Sequence, residues 1–198
     1  MAEQGRDIQE IKTTINEIDE KVANVVDRLG DVVTKSELSG IMNIFCTPEF
    51  QNEYVLWDGQ PFKADLAYSA IYGKAEKTLY VIDNYIGVKT SALLKNSNPN
   101  VKIILFSDNV GKGLHSAEFT DFCKQYPRCN IELRQTGKKY HDRYIIMDYD
   151  TEKEKIFHCG PSSKDGGGKI GSIVEIGERE VYHKMIDELR QMPLLKLA

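Results

Sequence analysis

Two short apolar runs with a helical segment between them constrain the fold of this chain more than any other feature. Residues 79–83 and 101–106 are short and almost wholly apolar, which is typical of buried strands. The intervening residues 89–96 favour a helix, and Asn98-Pro99-Asn100 is expected to end it. Because a strand, a helix and a second strand in succession are the unit of α/β folds, we expect an α/β domain.

Further segments extend this pattern toward both ends of the chain. The predicted strands are 55–57, 130–134, 143–147, 156–159 and 173–176, and the predicted helices are 61–74, 117–126 and 177–191. A hairpin is expected at 150–155. The core face of the last helix is predicted to be Val181, Met185, Ile186 and Leu189. The short connections predict an α/β fold with a mixed, largely parallel sheet flanked by helices.

Apolar residues near the N-terminus recur at alternating spacings of three and four. The positions are Ile8, Ile11, Ile15, Ile18, Val22, Val25, Leu29 and Val32. They predict a coiled-coil-like helix over 8–33, roughly 37 Å long. It would serve self-association, or, because Val26 and Val33 widen the stripe, docking on the chain's own domain or a protein partner. We therefore divide the chain into a heptad helix, 1–35, and an α/β domain, 36–198, which opens with a short helix at Ser36.

The residues most suited to chemistry lie in the segment 138–165. It reads Lys-Lys-Tyr-His-Asp-Arg-Tyr-Ile-Ile-Met-Asp and then, after a short insertion, His-Cys-Gly-Pro-Ser-Ser-Lys-Asp. Residues i and i+2 of an extended strand share a face, so His141 and Arg143 are expected to point into one pocket. A nucleophile beside a cation that holds phosphate suits phosphodiester chemistry without a metal ion.

This His-x-Arg-x4-Asp run, followed by a Gly-x-Ser-Ser turn, resembles the phospholipase D superfamily, especially its small nuclease-like phosphodiesterases with a single motif. The resemblance covers roughly residues 50–190, and its specific part is 138–170. Arg143 stands where the family usually has lysine. Gly160-Pro161-Ser162-Ser163 stands where it has Gly-Ser-x-Asn. Both replacements keep hydrogen-bond donors toward a phosphate. The resemblance implies a phospholipase D-like fold.

The resemblance also implies the roles of individual residues. His141 would attack phosphorus to form a phosphohistidine, and Arg143 would hold the non-bridging oxygens. Asp148 completes the catalytic set, although it is expected to fix loop or partner geometry rather than to transfer protons. Asp83 ends a buried strand, where it would either orient an imidazole or form a turn. The candidate substrate-binding residues are Ser162, Ser163, Lys164, Lys139 and Asp83.

The reaction of the family uses two histidines, and this chain has one in the required setting. His115, His158 and His183 do not repeat the pattern. A homodimer or a higher even-numbered oligomer, with one motif from each chain, is therefore implied. We expect no cofactor and no metal site, because the histidines lack ligand spacing with cysteines or carboxylates.

The charge pattern bears on the substrate. A net charge of −4 argues mildly against nonspecific nucleic-acid binding over the whole surface. It permits a local basic cleft formed by Lys138, Lys139, Arg143, Lys164 and Lys169. Nucleic acid is favoured as the substrate, with phospholipid headgroups and smaller diesters left open. The alternative is a regulatory module that binds phosphate or nucleic acid without cleaving it and is oligomerised by its N-terminal helix.

Three features favour a cytoplasmic protein. The N-terminus is polar and acidic, unlike a secretory signal. No apolar run reaches the ~18–20 residues that span a bilayer, so no membrane span is expected. The four cysteines form no Cys-x-x-Cys pair and are expected to be reduced thiols.

Overall fold

The computed structural model describes residues 53–111 and 113–198. The predicted heptad helix, the short helix at Ser36 and the boundary between residues 35 and 36 lie outside this range and stay predictions.

Strands and helices alternate through the described residues. The strands are β1 (Glu53–Leu56), β2 (Thr78–Ile82), β3 (Lys102–Phe106), β4 (Ile131–Arg134), β5 (Arg143–Met147), β6 (Lys155–Cys159) and β7 (Gly171–Glu175). The helices are α1 (Pro61–Tyr72), α2 (Val88–Leu94), α3 (Ser116–Gln125) and α4 (His183–Arg190), with a 3-10 turn at Glu180–Tyr182 before α4. Each element overlaps the segment predicted for it.

The strands of the described residues form one sheet in the order β1-β7-β6-β5-β2-β3-β4. The expected α/β fold with a mixed sheet is confirmed. Parallel pairing is nevertheless confined to β2–β3 and β3–β4, and the other four pairs are antiparallel. The sheet is thus less parallel than predicted. The cause is connectivity: α2 and α3 return the chain for parallel pairing, whereas a hairpin joins β5 to β6 and enforces antiparallel pairing.

Each face of the sheet carries its own core, because successive side chains of a strand point to opposite faces. Leu79 and Val81 of β2 pack with the side of α1–α3, whereas Tyr80 and Ile82 pack with the side of α4. On α4, Ile186 and Leu189 are buried as predicted and Met185 is partly buried. The prediction for Val181 is wrong: its side chain is 69% exposed, because residues 180–182 form a 3-10 turn before the helix.

The antiparallel pairing of β2 and β5 decides which residues meet at each edge of the sheet. Ile82 pairs with Tyr144, so Asp83, just after β2, lies beside Arg143 at the start of β5. Leu79 pairs with Met147, so Asp148 lies beside the start of β2 at the opposite edge. We call the edge that holds Asp83 and Arg143 the site edge.

Candidate active site

Arg143 is held on three sides at the site edge. Its Nη1 donates a hydrogen bond of 2.8 Å to the carbonyl of Gly160. Its Nε lies 3.4 Å from Oδ1 of Asp83, and the side chain is 23% exposed. The guanidinium carbon lies 5.3 Å from the ring centre of Tyr85, within the range of a cation–π interaction. The fold therefore fixes a permanent cation in one orientation with part of its surface open to solvent.

Asp83 is the buried partner of this arginine. Its Oδ2 accepts a 2.6 Å hydrogen bond from the hydroxyl of Ser162, and its Oδ1 accepts the backbone N–H of Tyr85 at 2.9 Å. Burial raises the pKa of the Asp83 carboxyl, and these hydrogen bonds and the charge of Arg143 oppose that rise. Asp83 thus orients Arg143 and the Ser162 turn, and within the described residues it makes no hydrogen bond to an imidazole.

A basic groove of about 860 Å³ opens beside Arg143. Lys89, Lys164 and Lys169 line it together with Gly160 and the Ser162 turn. Lys89 pairs with Asp65 at 2.6 Å, and Lys164 pairs with Asp165 at 3.0 Å. Because carboxylates offset these two lysines and Arg143, Lys169 is the cation of this groove for which the described residues provide no ion pair.

The remaining predicted substrate-binding residues differ in position. Ser163 is buried, with its hydroxyl 3.4 Å from that of Thr90, so it stabilises the turn from the protein interior and does not face the groove. Lys139 is exposed in the segment between β4 and β5. The turn itself is anchored by Tyr68, whose hydroxyl donates a 2.7 Å hydrogen bond to the carbonyl of Pro161.

His141 is exposed and lies just before β5 rather than within it, since the strand begins at Arg143. The next residue, Asp142, has its Oδ1 3.8 Å from Nε2 of His158. His158 lies opposite Tyr144, on the face of the sheet away from Arg143. In the described residues, the basic groove is lined by Arg143 and not by His141, and no hydrogen bond reaches the His141 ring.

The segment that carries His141 is fastened by Asp108, which follows β3. The Asp108 carboxylate accepts backbone N–H groups from Thr136 at 3.1 Å, Gly137 at 3.2 Å and Lys138 at 2.6 Å. Lys138 has a φ of 59°, so these bonds hold an unfavourable backbone conformation in place. Partial burial raises the pKa of Asp108, but the hydrogen bonds outweigh it and hold the pKa below its ordinary value.

Asn84 fastens the same segment from the end of β2. Its Oδ1 accepts the hydroxyl of Thr136 at 2.8 Å and the N–H of Asp108 at 3.0 Å. Its Nδ2 donates to the carbonyl of Tyr140, the neighbour of His141, at 2.8 Å. Neither Asn84 nor Asp108 is predicted as a site residue from the sequence. The available signal was their position, because each is a polar residue that follows a buried strand at the edge where Asp83 lies.

Asp148 occupies the opposite edge of the sheet. It is 2% exposed, and its backbone has a φ of 49°. Its Oδ1 accepts the N–H groups of Lys77 at 2.6 Å and Thr78 at 3.2 Å, and Glu76 N–H lies 3.0 and 3.2 Å from the two carboxylate oxygens. Asp148 follows Arg143 by five residue steps along β5, which corresponds to about 17 Å. The structure therefore brings Asp83, Arg143 and Ser162 together and keeps Asp148 apart from them.

Solved structures of other proteins resemble this chain. TrmBL2, an archaeal chromatin protein, aligns over 91% of this chain and 66% of its own, with 16% identity and a TM-score of 0.46. NucT from Helicobacter pylori aligns over 73% and 96%, with 11% identity and a TM-score of 0.49. Polyphosphate kinase from Porphyromonas gingivalis aligns over 72% and 23%, with 14% identity and a TM-score of 0.45. The chain thus spans just under two thirds of the TrmBL2 chain.

NucT and polyphosphate kinase are members of the phospholipase D superfamily. The phospholipase D-like character of the fold stays a prediction of the sequence motif, because these structures are 11–16% identical to the chain and their TM-scores are below 0.5. The likeness therefore carries neither the family nor the activities and substrates of those proteins to this chain. No family model and no curated protein sequence matches the chain.

The remaining features of the described residues concern metal-ligand clusters, membrane-spanning helices and thiols. No group of three histidine, cysteine or acidic side chains in residues 53–111 and 113–198 is placed to hold a metal ion. No helix in this part of the chain is long and apolar enough to span a bilayer. Cys123, Cys129 and Cys159 are free thiols, and Cys46 lies outside the described residues.

Proposed function

We propose that this chain is a phosphodiesterase that cleaves nucleic acid without a metal ion, through a phosphohistidine formed on His141. The observation that carries the proposal is the fixed Arg143 guanidinium, which opens into a basic groove two residues after an exposed histidine. An open groove lined by cations fits the backbone of a long polyanion.

Arg143 has the role of binding phosphate and stabilising the transition state. Asp83, Gly160 and Tyr85 hold the guanidinium before substrate arrives, so little reorganisation is needed when charge develops on the non-bridging oxygens. The hydroxyl of Ser162 donates its hydrogen bond to Asp83, so Ser162 helps to position the carboxylate that orients Arg143. Lys164 and Lys169 attract phosphates along the groove.

His141 has the role of the nucleophile. A neutral imidazole nitrogen attacks phosphorus, the bond from phosphorus to the leaving oxygen breaks, and a second imidazole protonates that oxygen. The second imidazole then takes a proton from water, and the resulting hydroxide attacks phosphorus and releases His141. His141 is exposed and only two residues before Arg143, so its ring is open to solvent close to the cation that would hold the phosphate.

The second imidazole is assigned to the partner's His141 in a homodimer or a higher even-numbered oligomer. The other histidines of this chain are engaged elsewhere in the fold. His115 is the N-cap residue before α3, His158 lies on the opposite face from Arg143, and His183 contacts Glu154 at 2.8 Å. A two-fold axis near the site edge would place one motif from each chain on either side of a shared phosphate. The N-terminal heptads would raise the local concentration of paired domains.

Cleavage of labelled single- and double-stranded DNA and RNA in EDTA tests this function. We expect activity to persist in EDTA and His141→Ala to remove it, because no other group supplies the nucleophile. Arg143→Ala should cost about 2–4 kcal/mol of transition-state stabilisation. His158→Ala is the matched control, since it removes a partly buried histidine of β6, on the face of the sheet away from Arg143, and should keep activity. Loss of cleavage in EDTA that a divalent ion restores would contradict the mechanism.

Mixed dimers test the shared site. When wild type is mixed with excess His141→Ala, the mixed species should be nearly inactive, since each reaction needs both imidazoles. A mixed species with half of the wild-type rate would show that each chain works alone.

A second candidate is the regulatory module that binds phosphate without turnover. It is favoured by the His141 ring, which has no orienting carboxylate among the described residues, and by the ion pairs that offset two groove lysines. This candidate predicts saturable binding of nucleic acid with no hydrolysis of any diester, and binding that survives His141→Ala.

A further inference from the structure

Tyr85 presents an exposed aromatic ring at the centre of the site edge. Its side chain is 42% exposed, although its backbone is held at both polar atoms. The N–H donates to Asp83 at 2.9 Å, and the carbonyl accepts the Ser162 hydroxyl at 2.8 Å. The guanidinium of Arg143 lies against the ring, 5.3 Å from its centre. The two hydrogen bonds therefore fix the backbone that carries the ring, and the contact with Arg143 orients the ring.

Two further apolar side chains are exposed on the segments next to Tyr85. Val88, at the start of α2, is 57% exposed and Val110, after β3, is 44% exposed. Val110 is tied to the residue before Tyr85, since its N–H donates to the carbonyl of Asn84 at 2.7 Å. We call Tyr85, Val88 and Val110 the apolar shelf. A cation suited to phosphate thus contacts an exposed ring suited to stacking on a flat group.

We propose that Tyr85 determines substrate specificity by stacking on an unpaired base next to the phosphate that Arg143 holds. The inference rests on the proposed phosphodiesterase function and names its substrate class as single-stranded nucleic acid. A base on an aromatic ring gains stacking whatever its identity, so the contact tolerates any sequence. A base inside a duplex is already stacked and paired, and it would have to be extruded at a cost to reach the ring.

Pre-ordering makes this contact effective. A mobile tyrosine would lose conformational freedom on binding, whereas this one has a fixed backbone and a ring already in contact with Arg143. The phosphate neutralises the cation beside the ring at the same time as the base covers the exposed part of the shelf. One nucleotide thus neutralises the cation with its phosphate and buries apolar surface with its base.

Binding measurements on the full chain with His141→Ala, which removes turnover, test the inference. The probes are a fluorescent single-stranded oligonucleotide, an abasic oligonucleotide of the same length and charge, and the matching duplex, followed by anisotropy at fixed salt. We expect the base-containing single strand to bind more tightly than the other two. Adding Tyr85→Ala should weaken its binding about 5- to 100-fold and leave the abasic affinity nearly unchanged. Tyr85→Phe should restore the base-dependent affinity, because it keeps the ring.

Several outcomes separate the inference from the function on which it rests. Equal weakening of base-containing and abasic strands by Tyr85→Ala would overturn it, since Tyr85 would then act only by holding Arg143. Tyr85→Leu keeps an apolar side chain beside Arg143, and base-dependent binding that survives in it would also overturn the inference. A further probe is a vesicle of anionic phospholipid. The inference would also be overturned if Tyr85→Ala lost binding to these vesicles while its binding to the oligonucleotide stayed intact. Base-dependent binding that needs Tyr85, in a wild type that cleaves nothing, would support the inference and overturn the phosphodiesterase.

Discussion

Substitution of Asp148 separates a structural role from a catalytic one. The carboxylate accepts the N–H groups of Glu76, Lys77 and Thr78 from a buried position, about a whole strand length from Arg143. Asp148→Asn keeps one acceptor oxygen and tolerates the φ of 49°, but it replaces charged hydrogen bonds by neutral ones. Since bonds to charged groups contribute about 1.5–3 kcal/mol and neutral ones about 1 kcal/mol, we expect a loss of about 2–3 kcal/mol.

Asp148→Ala should lose more, about 4–5 kcal/mol, because three N–H groups lose their acceptor and alanine disfavours a positive φ. The assay is urea unfolding followed by circular dichroism, with kcat measured where each variant is fully folded. Asp150→Asn is the matched control, since Asp150 has a φ of 58° in the same hairpin and is exposed. We expect Asp150→Asn to change stability little and kcat of Asp148→Asn to stay within about threefold of wild type, a change of under 1 kcal/mol. Unchanged stability with a hundredfold loss of kcat would refute the reasoning.

The remaining predictions concern the loops around the site. Asp108→Asn should lower the free energy of unfolding at pH 7 by about 1.5–3 kcal/mol. Folding lowers the pKa of Asp108, so the stability that its carboxylate contributes is present above the ordinary value of 3.8 and is lost as pH falls through the lowered pKa. The difference in free energy of unfolding between wild type and Asp108→Asn, measured as a function of pH, should therefore shrink in that range. A difference that grows in acid would contradict this. Gly167→Ala should lower the melting temperature more than Gly59→Ala. Both glycines have positive φ, but only a Cβ on Gly167 meets backbone, 2.5 Å from Gln60 and Pro61. Equal losses of melting temperature in the two variants would show that the loop shifts to accommodate the added Cβ.

The sequence predicted local structure well where an apolar run has clear ends. The strand predicted at 143–147 is β5, because a polar segment precedes it and Asp148 ends it. The predicted hairpin between β5 and β6 is present, since their register places Met147 opposite Lys155. The start of the last helix was missed, because helical periodicity includes Val181 although the chain forms a 3-10 turn there.

Partners distant in sequence could not be predicted in the same way. Periodicity marks β5 as a strand but does not reveal that it pairs antiparallel with β2, and this pairing brings Asp83 beside Arg143. The Asp83–Ser162 hydrogen bond joins residues 79 positions apart. The motif therefore indicated which segments carry the site. Of the two roles predicted for Asp83, orienting an imidazole or forming a turn, the structure shows the turn, through the N–H of Tyr85, and adds the contact with Arg143.

The central claim is that His141 becomes covalently bound to phosphorus during the reaction. The most direct measurement is a single-turnover reaction on an oligonucleotide with a ³²P label at the scissile phosphate, stopped in alkaline detergent and analysed by gel and mass spectrometry. A phosphohistidine should leave label on the protein at His141, stable in alkali and released by acid, and His141→Ala should carry none. Product formation without labelled protein at any time, or label that persists in His141→Ala, would contradict the account.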